Sequence, residues 1–454
     1  MRTPTIESKR LYLRPMTVAD APAIYNNWTS DARVAKHMRW NVHPCLEATE
    51  EWMKYEEKNI DTPESYSFIF IRKTDNMPIG SGGLSMSDDG TCFEIGYNFM
   101  YDVWGQGYAT EAAFRIMRFA LEDLGLRELL AFRSIGNPAS GAVLEKCGFI
   151  KDGETTCYKF DGTPMPSYKY TFRADDMSFT LNNGVKLPML GYGSFLSTVK
   201  DGKQTILDAL ECGYRYIDTA FFYKNEKEIG EAIKDSGIDR KELFLCSKVW
   251  PTRMGYEETK KCFEESCELL GTDYLDLYLI HWPKVSSTDE NWVALMRDTW
   301  RALEDLYTGG RIRAIGLSNF LPHHIEPLLE TARIKPMVDQ LELHAGYMQS
   351  EAVRYLKRHG IVVQAWSPLG RGAVINDPVV VSIAEKYGKT PAQILLRFLV
   401  QKQIAVIPKA SSRERMLANK DIFEFFLESE DVSMLNSLPE TGFSGEHPDR
   451  VNWR

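Results

Sequence analysis

The chain has 454 residues, 44% of them apolar and 26% charged, and 63 acidic side chains outnumber 54 basic ones for a net charge of −9. At roughly 150 residues per domain this is too long for one ordinary core, so two or three domains are expected. Neither half is basic, with 20 Lys and Arg against 23 Asp and Glu up to Arg173 and 34 against 40 beyond it, which argues against a nucleic-acid footprint or a polybasic membrane contact.

No run of about 18 apolar residues is present, so no membrane span is expected. The opening MRTPTIESKRLYLRP lacks the apolar core of a secretory signal. The eight cysteines are scattered without a C-x-x-C pair, and the eight histidines show no H-E-x-x-H spacing. This pattern reads as reduced thiols in a cytoplasmic protein, with no disulfide frame and no metal site.

In chain order, LYLRP (11–15) reads as a strand and residues 17–29 and 46–59 as helices. SFIFIRK (67–73), PIGSGGLSM (78–86) and CFEIGYNF (92–99) read as strands, Thr110 to Leu124 as a strong helix, and TPMPSYKYTFR (163–173) as a closing strand. That order predicts an α+β domain with a central sheet. Trp104-Gly-Gln-Gly-Tyr-Ala-Thr-Glu joins the third of these strands to the helix. Glycines let backbone N–H groups approach an anion, and a helix start adds positive dipole. Residues Gly105, Gln106, Gly107, Tyr108, Ala109 and Thr110 are therefore candidates for holding a pyrophosphate. An ordinary glycine-bearing loop is the competing reading. Downstream, SIGNPASGAVLEKCGF (134–149) supplies Asn137 and Ser140 and then a helix ending at Gly148.

Together with LYLRPMTVADAPAIYNNW (11–28), these segments resemble the GNAT N-acetyltransferases, in particular the ribosomal-protein-alanine acetyltransferases, over residues 5–173. The resemblance implies acetyl-CoA as cosubstrate, with residues 105–110 on its pyrophosphate and Asn137 near its pantetheine arm. It also implies Glu94 as the base that takes the amine proton, and Ser140 or Tyr158 as proton donor to the leaving thiolate. An amine of a small molecule or a protein N-terminus is the implied acceptor.

The stretch Arg173 to Met177 separates two patterns. Two enzymes fused with almost no linker are expected, residues 1–175 and 176–454, with a short hinge between them. Asn183-Gly184 between alternating apolar runs signals a hairpin. Eight short apolar runs follow, at 190–193, 216–220, 243–248, 275–281, 312–318, 337–340, 361–366 and 404–409, with helical periodicity between them. Eightfold strand–helix alternation over about 250 residues predicts a (β/α)8 barrel, and hence an α/β multidomain chain. A doubly wound open sheet needs a glycine-rich turn with a third, helix-opening glycine, which GYGSFL (191–196) lacks.

Polar residues at the C-terminal ends of barrel strands line the active site. Successive strands deliver Asp218, Lys248 and His281 there, and Tyr223 follows in the next loop. Carbonyl reduction needs a proton donor at the carbonyl oxygen. A phenol serves if a neighbouring ammonium lowers its pKa, a carboxylate holds that ammonium, and a neutral histidine adds a second donor. Tyr223, Lys248, Asp218 and His281 supply these four parts.

With GYRYIDTAFFYKNE (213–226), SKVW (247–250), LGTDYLDLYLIHWP (270–283), GLSNF (316–320) and IPKASSRERMLAN (407–419) in order, residues 178–454 resemble the aldo-keto reductases. The ending GFSGEHPDRVNW is similar to bacterial members that include 2,5-diketo-D-gluconate reductases. The resemblance implies NADPH as cofactor and Asp218, Tyr223, Lys248 and His281 as a catalytic tetrad with Tyr223 as general acid. It implies Ser318, Asn319 and Gln340 at the nicotinamide carboxamide and Trp366, Ser367 and Leu369 along the ring and its neighbours. It implies Lys409 and Arg415 on the adenosine 2′-phosphate, and Asn419 at the adenine. Ala410 and Ala418 depart from the Ser and the acid common there, which leaves the strictness of the NADPH preference open. Phe222, Trp250 and Trp282 are expected to wall the carbonyl pocket. The chain is thus expected to be a bifunctional enzyme, a carbonyl reductase joined to an N-acetyltransferase. The alternative is a reductase carrying a CoA-binding or interaction module without turnover.

Overall fold

Alternating or fully apolar runs become strands wherever one or both faces can be covered, and this chain does so in two separate sheets. The computed structural model describes residues 2–87, 89–173, 177–197, 201–423 and 425–453, apart from the side chain of Glu122. The expected hinge, and the boundary between 175 and 176, fall on 174–176, outside the described residues. By density of contact the chain divides into two units, Met1–Asp176 with Glu424–Glu430, and Met177–Phe423 with Asp431–Arg454.

The first unit is built on eight strands: β1 (Ile6–Glu7), β2 (Leu11–Pro15), β3 (Ser65–Arg72), β4 (Met77–Met86), β5 (Phe93–Phe99), β6 (Glu128–Ser134), β7 (Ile150–Tyr158) and β8 (Pro164–Arg173). They lie in the order β1-β2-β3-β4-β5-β6-β8-β7. Neighbours run antiparallel except β5 and β6. Those two pair in parallel only at Phe93–Leu129 and Glu94–Leu130, although both strands continue well beyond. Backbone groups past that point leave the ladder, and a slot opens between the strands. The helix Tyr108–Arg118 buries Ala112, Ala113, Ile116 and Met117 on one side, at the 3.6-residue period of an amphipathic helix.

Two helices depart from their expected form. Residues 17–29 split into a 3₁₀ turn (Val18–Asp20), an α turn (Ala21–Ile24) and a π turn (Tyr25–Thr29). At its start Asp20 accepts the Thr17 N–H at 2.9 Å in a capping box and pairs with Arg14 at 2.9 and 2.6 Å. At the other end Ser30 Oγ donates to Tyr25 O at 2.7 Å, so a side chain competes for the helix carbonyls. The helix after the glycine loop likewise widens into a π turn at Phe119–Asp123.

In the second unit Asn183-Gly184 makes the expected turn between β9 (Ser178–Thr180) and β10 (Lys186–Pro188), with Gly184 at φ 87°. Eight parallel strands then follow in chain order: β11 (Tyr192–Gly193), β12 (Tyr216–Asp218), β13 (Phe244–Val249), β14 (Leu277–Ile280), β15 (Ile315–Ser318), β16 (Val338–Glu342), β17 (Val362–Trp366) and β18 (Ile404–Val406). Leu190 pairs in parallel with Val406, and Val406 N donates to Met189 O at 2.8 Å, which closes the sheet on itself. The result is a (β/α)8 barrel whose strands are buried almost throughout. Its helices turn apolar stripes inward, as Ile229, Ala232 and Ile233 do on Glu226–Ser236.

Candidate active sites

The C-terminal ends of the barrel strands surround a cavity of about 610 Å³. Asp218 ends β12, Lys248 lies in β13, and His281 follows β14. Tyr223 sits on the short 3₁₀ turn Phe221–Tyr223 that leaves β12. Lys248 is fully buried, and its ammonium donates to Asp218 Oδ1 at 2.7 Å and to Thr219 O at 2.9 Å. The other oxygen of Asp218 accepts from Gln340 Nε2 at 2.8 Å. Lys248 Nζ is 5.1 Å from the centre of the Tyr223 ring, and the Tyr223 and His281 rings meet edge to face at 5.7 Å.

The protonation states follow from burial set against charge. Burial penalises the Lys248 ammonium, but Asp218 and then Tyr223 outweigh that and hold its pKa above the ordinary value. Burial pushes the Tyr223 phenol up to about 12, with Lys248 acting in the opposite direction. Lys248 acts on this phenol in the expected direction, and its ammonium offsets only part of the desolvation. Burial, reinforced by Lys248, takes His281 well below its ordinary value, so the imidazole is neutral at pH 7.

The cleft runs on from this cluster. Ser318, Asn319, Gln340, Trp366, Ser367, Leu369, Lys409 and Arg415 line the same cavity. Asn319 holds φ 62° and is fixed by Trp366 Nε1, which donates to its Oδ1 at 2.8 Å. Asn319 Nδ2 donates in turn to His281 O and Ser318 Oγ. Gln340 Nε2 is spent on Asp218 and Gln364, which leaves the carboxamide oxygen for a ligand. Asn419 is buried on the helix Arg413–Lys420 and is not among the residues that line the cleft.

Phe222 stacks on Trp250 at 3.9 Å and 12°, and Trp282 stands beside them. Trp453, Glu446 and Arg371 line the same cavity and were missed in the sequence. Glu446 and Trp453 lie within the family-like ending GFSGEHPDRVNW, but only the fold brings them to the barrel mouth.

In the first unit the slot between β5 and β6 forms a second cavity, of about 340 Å³. Glu94, Asn137, Ser140 and Tyr158 all line it, with Tyr97 and His37. Asn137 Oδ1 caps the helix Pro138–Lys146 by accepting the Ser140 N–H at 3.3 Å. Ser140 Oγ is 3.2 Å from Tyr97 Oη, whose pKa burial raises. The glycine loop lies apart from this lining. Gly105 and Gly107 take φ 76° and 80°, conformations that favour glycine, and the helix starts at Tyr108. Tyr108 and Thr110 bury their side chains, and Gln106 Nε2 donates to Asp102 O. These residues thus offer backbone N–H groups rather than side chains.

Comparison with known proteins agrees with this division. Residues 197–440 match the profile of the aldo/keto reductase family, and residues 10–150 that of the acetyltransferase (GNAT) domain. Glyoxal reductase of Bacillus subtilis is 46% identical over 272 residues, 60% of this chain and 96% of its own. Among solved structures, an aldo/keto reductase from Brucella melitensis is 41% identical, with a TM-score of 0.54 over 57% of this chain and 98% of its own. A Bombyx mori aldo-keto reductase in complex with NADP is 33% identical, with a TM-score of 0.53 over 57% of this chain and 91% of its own. These three relatives match 57–60% of this chain, about the share that the barrel part makes up. The chain belongs to the aldo/keto reductase family and carries, ahead of its barrel, a GNAT acetyltransferase domain.

Proposed function

We propose that the chain is a bifunctional enzyme of the cytoplasm, with its domains at residues 1–175 and 176–454. The barrel reduces an aldehyde or ketone to an alcohol with NADPH. The first domain transfers acetyl from acetyl-CoA to an amine. The observation that carries the reductase reading is the buried Lys248–Asp218 pair at 2.7 Å, set beneath Tyr223 and beside a neutral His281 at one barrel mouth.

NADPH supplies hydride to the carbonyl carbon when bound. The residues suit it: two cations, Lys409 and Arg415, line the cleft, and a 2′-phosphate needs charge-assisted partners. Trp366 offers a ring face, and Ser318, Asn319 and Gln340 a polar wall. Tyr223 Oη gives its proton to the carbonyl oxygen. Lys248 stabilises the phenolate left behind, and Asp218 keeps Lys248 charged and in place. The neutral His281 donates a second hydrogen bond to the same oxygen. Phe222, Trp250 and Trp282 favour a small carbonyl with an apolar body, and the likeness to a glyoxal reductase supports a dicarbonyl.

In the first domain the amine nitrogen forms a bond to the acetyl carbon as the carbon–sulfur bond breaks. Glu94 takes the amine proton and Ser140 returns one to the thiolate, with Tyr158 the other candidate donor in the slot. Asn137 orders the Ser140 turn, and the N–H groups of Gly105 to Thr110 meet the pyrophosphate.

Two assays on the full-length protein test this reading. NADPH oxidation is followed with a panel of aldehydes, dicarbonyls and keto-sugars, and thiol release from acetyl-CoA with a panel of amines and peptide N-termini. Turnover in both is expected. Reduction together with CoA binding but no transfer to any amine would leave the first domain as a binding module.

A further inference from the structure

We propose that Asp449 is a positioning residue that seats Trp453 as a wall of the carbonyl pocket and so sets which carbonyls the barrel accepts; this rests on the reductase reading. Three other findings in the molecule point to this one place. The first is the only cluster of metal-type ligands among the described residues, His323, His324 and Asp449. The second is an aromatic group at the barrel mouth that includes a residue far from the strands. The third is an indole whose own polar atom holds nothing.

The segment from Thr441 to Trp453 crosses the barrel mouth and is tied down at intervals. Thr441 N donates to Gly346 O at 3.0 Å. Ser444 donates to the buried Glu342 through its N–H at 2.9 Å and its hydroxyl at 2.6 Å. Further along, Asn452 pairs with Ser286, Ser287 N donates to Val451 O at 3.0 Å, and Trp453 N donates to Val285 O at 2.9 Å. The Trp453 ring then packs on Trp250 at 4.8 Å and on Trp282 at 5.1 Å. Its indole N–H has no hydrogen-bond partner among the described residues. The ring is therefore held by packing and by the backbone behind it.

Asp449 is what fixes that backbone. Its Oδ1 lies 3.0 Å from Lys284 Nζ, 3.1 Å from His323 Nε2 and 3.0 Å from His324 Nε2. Its backbone N–H donates to His447 Nδ1 at 3.2 Å. Lys284 adjoins Val285, the residue that receives the Trp453 N–H, so one carboxylate joins both sides of that short pairing.

The hydrogen bonds also decide between an anchor and a cation site. Leu321 N–H donates to His324 Nδ1 at 3.1 Å, which requires a lone pair there. The proton of the neutral ring is then on Nε2, where it faces Asp449 as a donor. His324 is fully buried, and that burial takes its pKa down to about 3, so the ring remains neutral. A metal at Nε2 would need the lone pair this tautomer lacks, and Lys284 already supplies the positive charge. The cluster is an anchor built of three donors on one carboxylate oxygen.

The test uses full-length protein carrying Asp449→Ala, Asp449→Asn or Trp453→Ala, with phenylglyoxal as the carbonyl. Asp449→Ala is expected to raise KM for phenylglyoxal by about tenfold, the scale of one lost charge-assisted hydrogen bond. It should leave kcat within about threefold and NADPH affinity within about twofold, on the same bookkeeping. Trp453→Ala should show the same split, and Asp449→Asn, which keeps an acceptor but loses the charge opposite Lys284, an intermediate one. Amide hydrogen exchange across 447–453 should quicken in Asp449→Ala whether or not the protein turns over any carbonyl. Unchanged exchange would overturn the anchor. Quickened exchange with an unchanged KM would overturn the role in substrate selection. Wild-type protein that reduces no carbonyl would instead defeat the reductase reading, with the exchange result unaffected.

Discussion

At the scale of single residues, the barrel site is a balance between desolvation and charge. Tyr223→Phe removes the proton donor and leaves the cleft beside Lys409 and Arg415 intact. Reduction should fall by about 10²–10⁴-fold, the usual worth of a positioned general acid, while NADPH affinity measured by fluorescence stays the same. The pKa directions also set a pH profile. In the proposed mechanism Tyr223 acts as the protonated phenol, and burial raises its pKa from the ordinary 10 to about 12. The donor form therefore persists as pH rises and is lost only as pH passes the raised value. His281 is shifted the other way, so its neutral form persists until pH falls well below 6.5. The rate of reduction should accordingly be flat between about pH 7 and 9, and a basic limb near pH 8 would show that another group supplies the proton. Lys409→Ala should weaken NADPH by about tenfold or more, one charge-assisted contact, and leave NADH nearly unchanged. Equal losses for both cofactors would remove Lys409 from the 2′-phosphate. Asp218, Tyr223, Lys248 and His281 could be picked out in the sequence because strand ends in a barrel all face one mouth.

At the scale of elements, close approach of strands decides what the barrel tolerates. A Cβ on Gly316 in β15 would lie 2.5 Å from Val338 O and 2.8 Å from Leu279 Cδ2, on the two neighbouring strands. The Val338 carbonyl is backbone in the adjacent strand and cannot swing aside, so Gly316→Ala should cost about 1–3 kcal/mol or more, read as a lowered urea midpoint of the full chain. It should also impair reduction, because β15 leads directly into Ser318 and Asn319. The eight barrel strands were legible as eight apolar runs, since a strand covered on both faces leaves an unmistakable hydrophobic block. The first unit was less so. Its stretch over 17–29 opens on a capping box of Thr17 and Asp20 yet divides into 3₁₀, α and π turns, and no periodicity reports a side chain such as Ser30 that competes for the helix carbonyls. The slot between β5 and β6 was equally invisible, because it is made by two strands that stop pairing.

At the scale of the whole molecule, each unit has its own sheet, its own core and its own cavity. The two proposed chemistries predict separable losses. Ser140→Ala should depress acetyl transfer without altering NADPH oxidation, and Tyr223→Phe should do the reverse, both measured on the full-length protein. A substitution that depressed both activities alike would show that the two sites are coupled.

What the amino-acid order determined by itself was local and periodic. The runs that become strands, the Asn183-Gly184 turn, the glycine loop before a helix and the polar residues at strand ends all follow from backbone preference and hydrophobic repeat. What only the tertiary structure decided was assembly at a distance. The closure of β18 on residues 189–191 and the meeting of Asp449 with Lys284, His323 and His324 join groups more than a hundred residues apart, and the pKa directions at Tyr223 and His281 come from burial in the folded barrel. Desolvation and long-range hydrogen bonds have no signature in local sequence, because they arise only when the fold brings those groups together and excludes water from them.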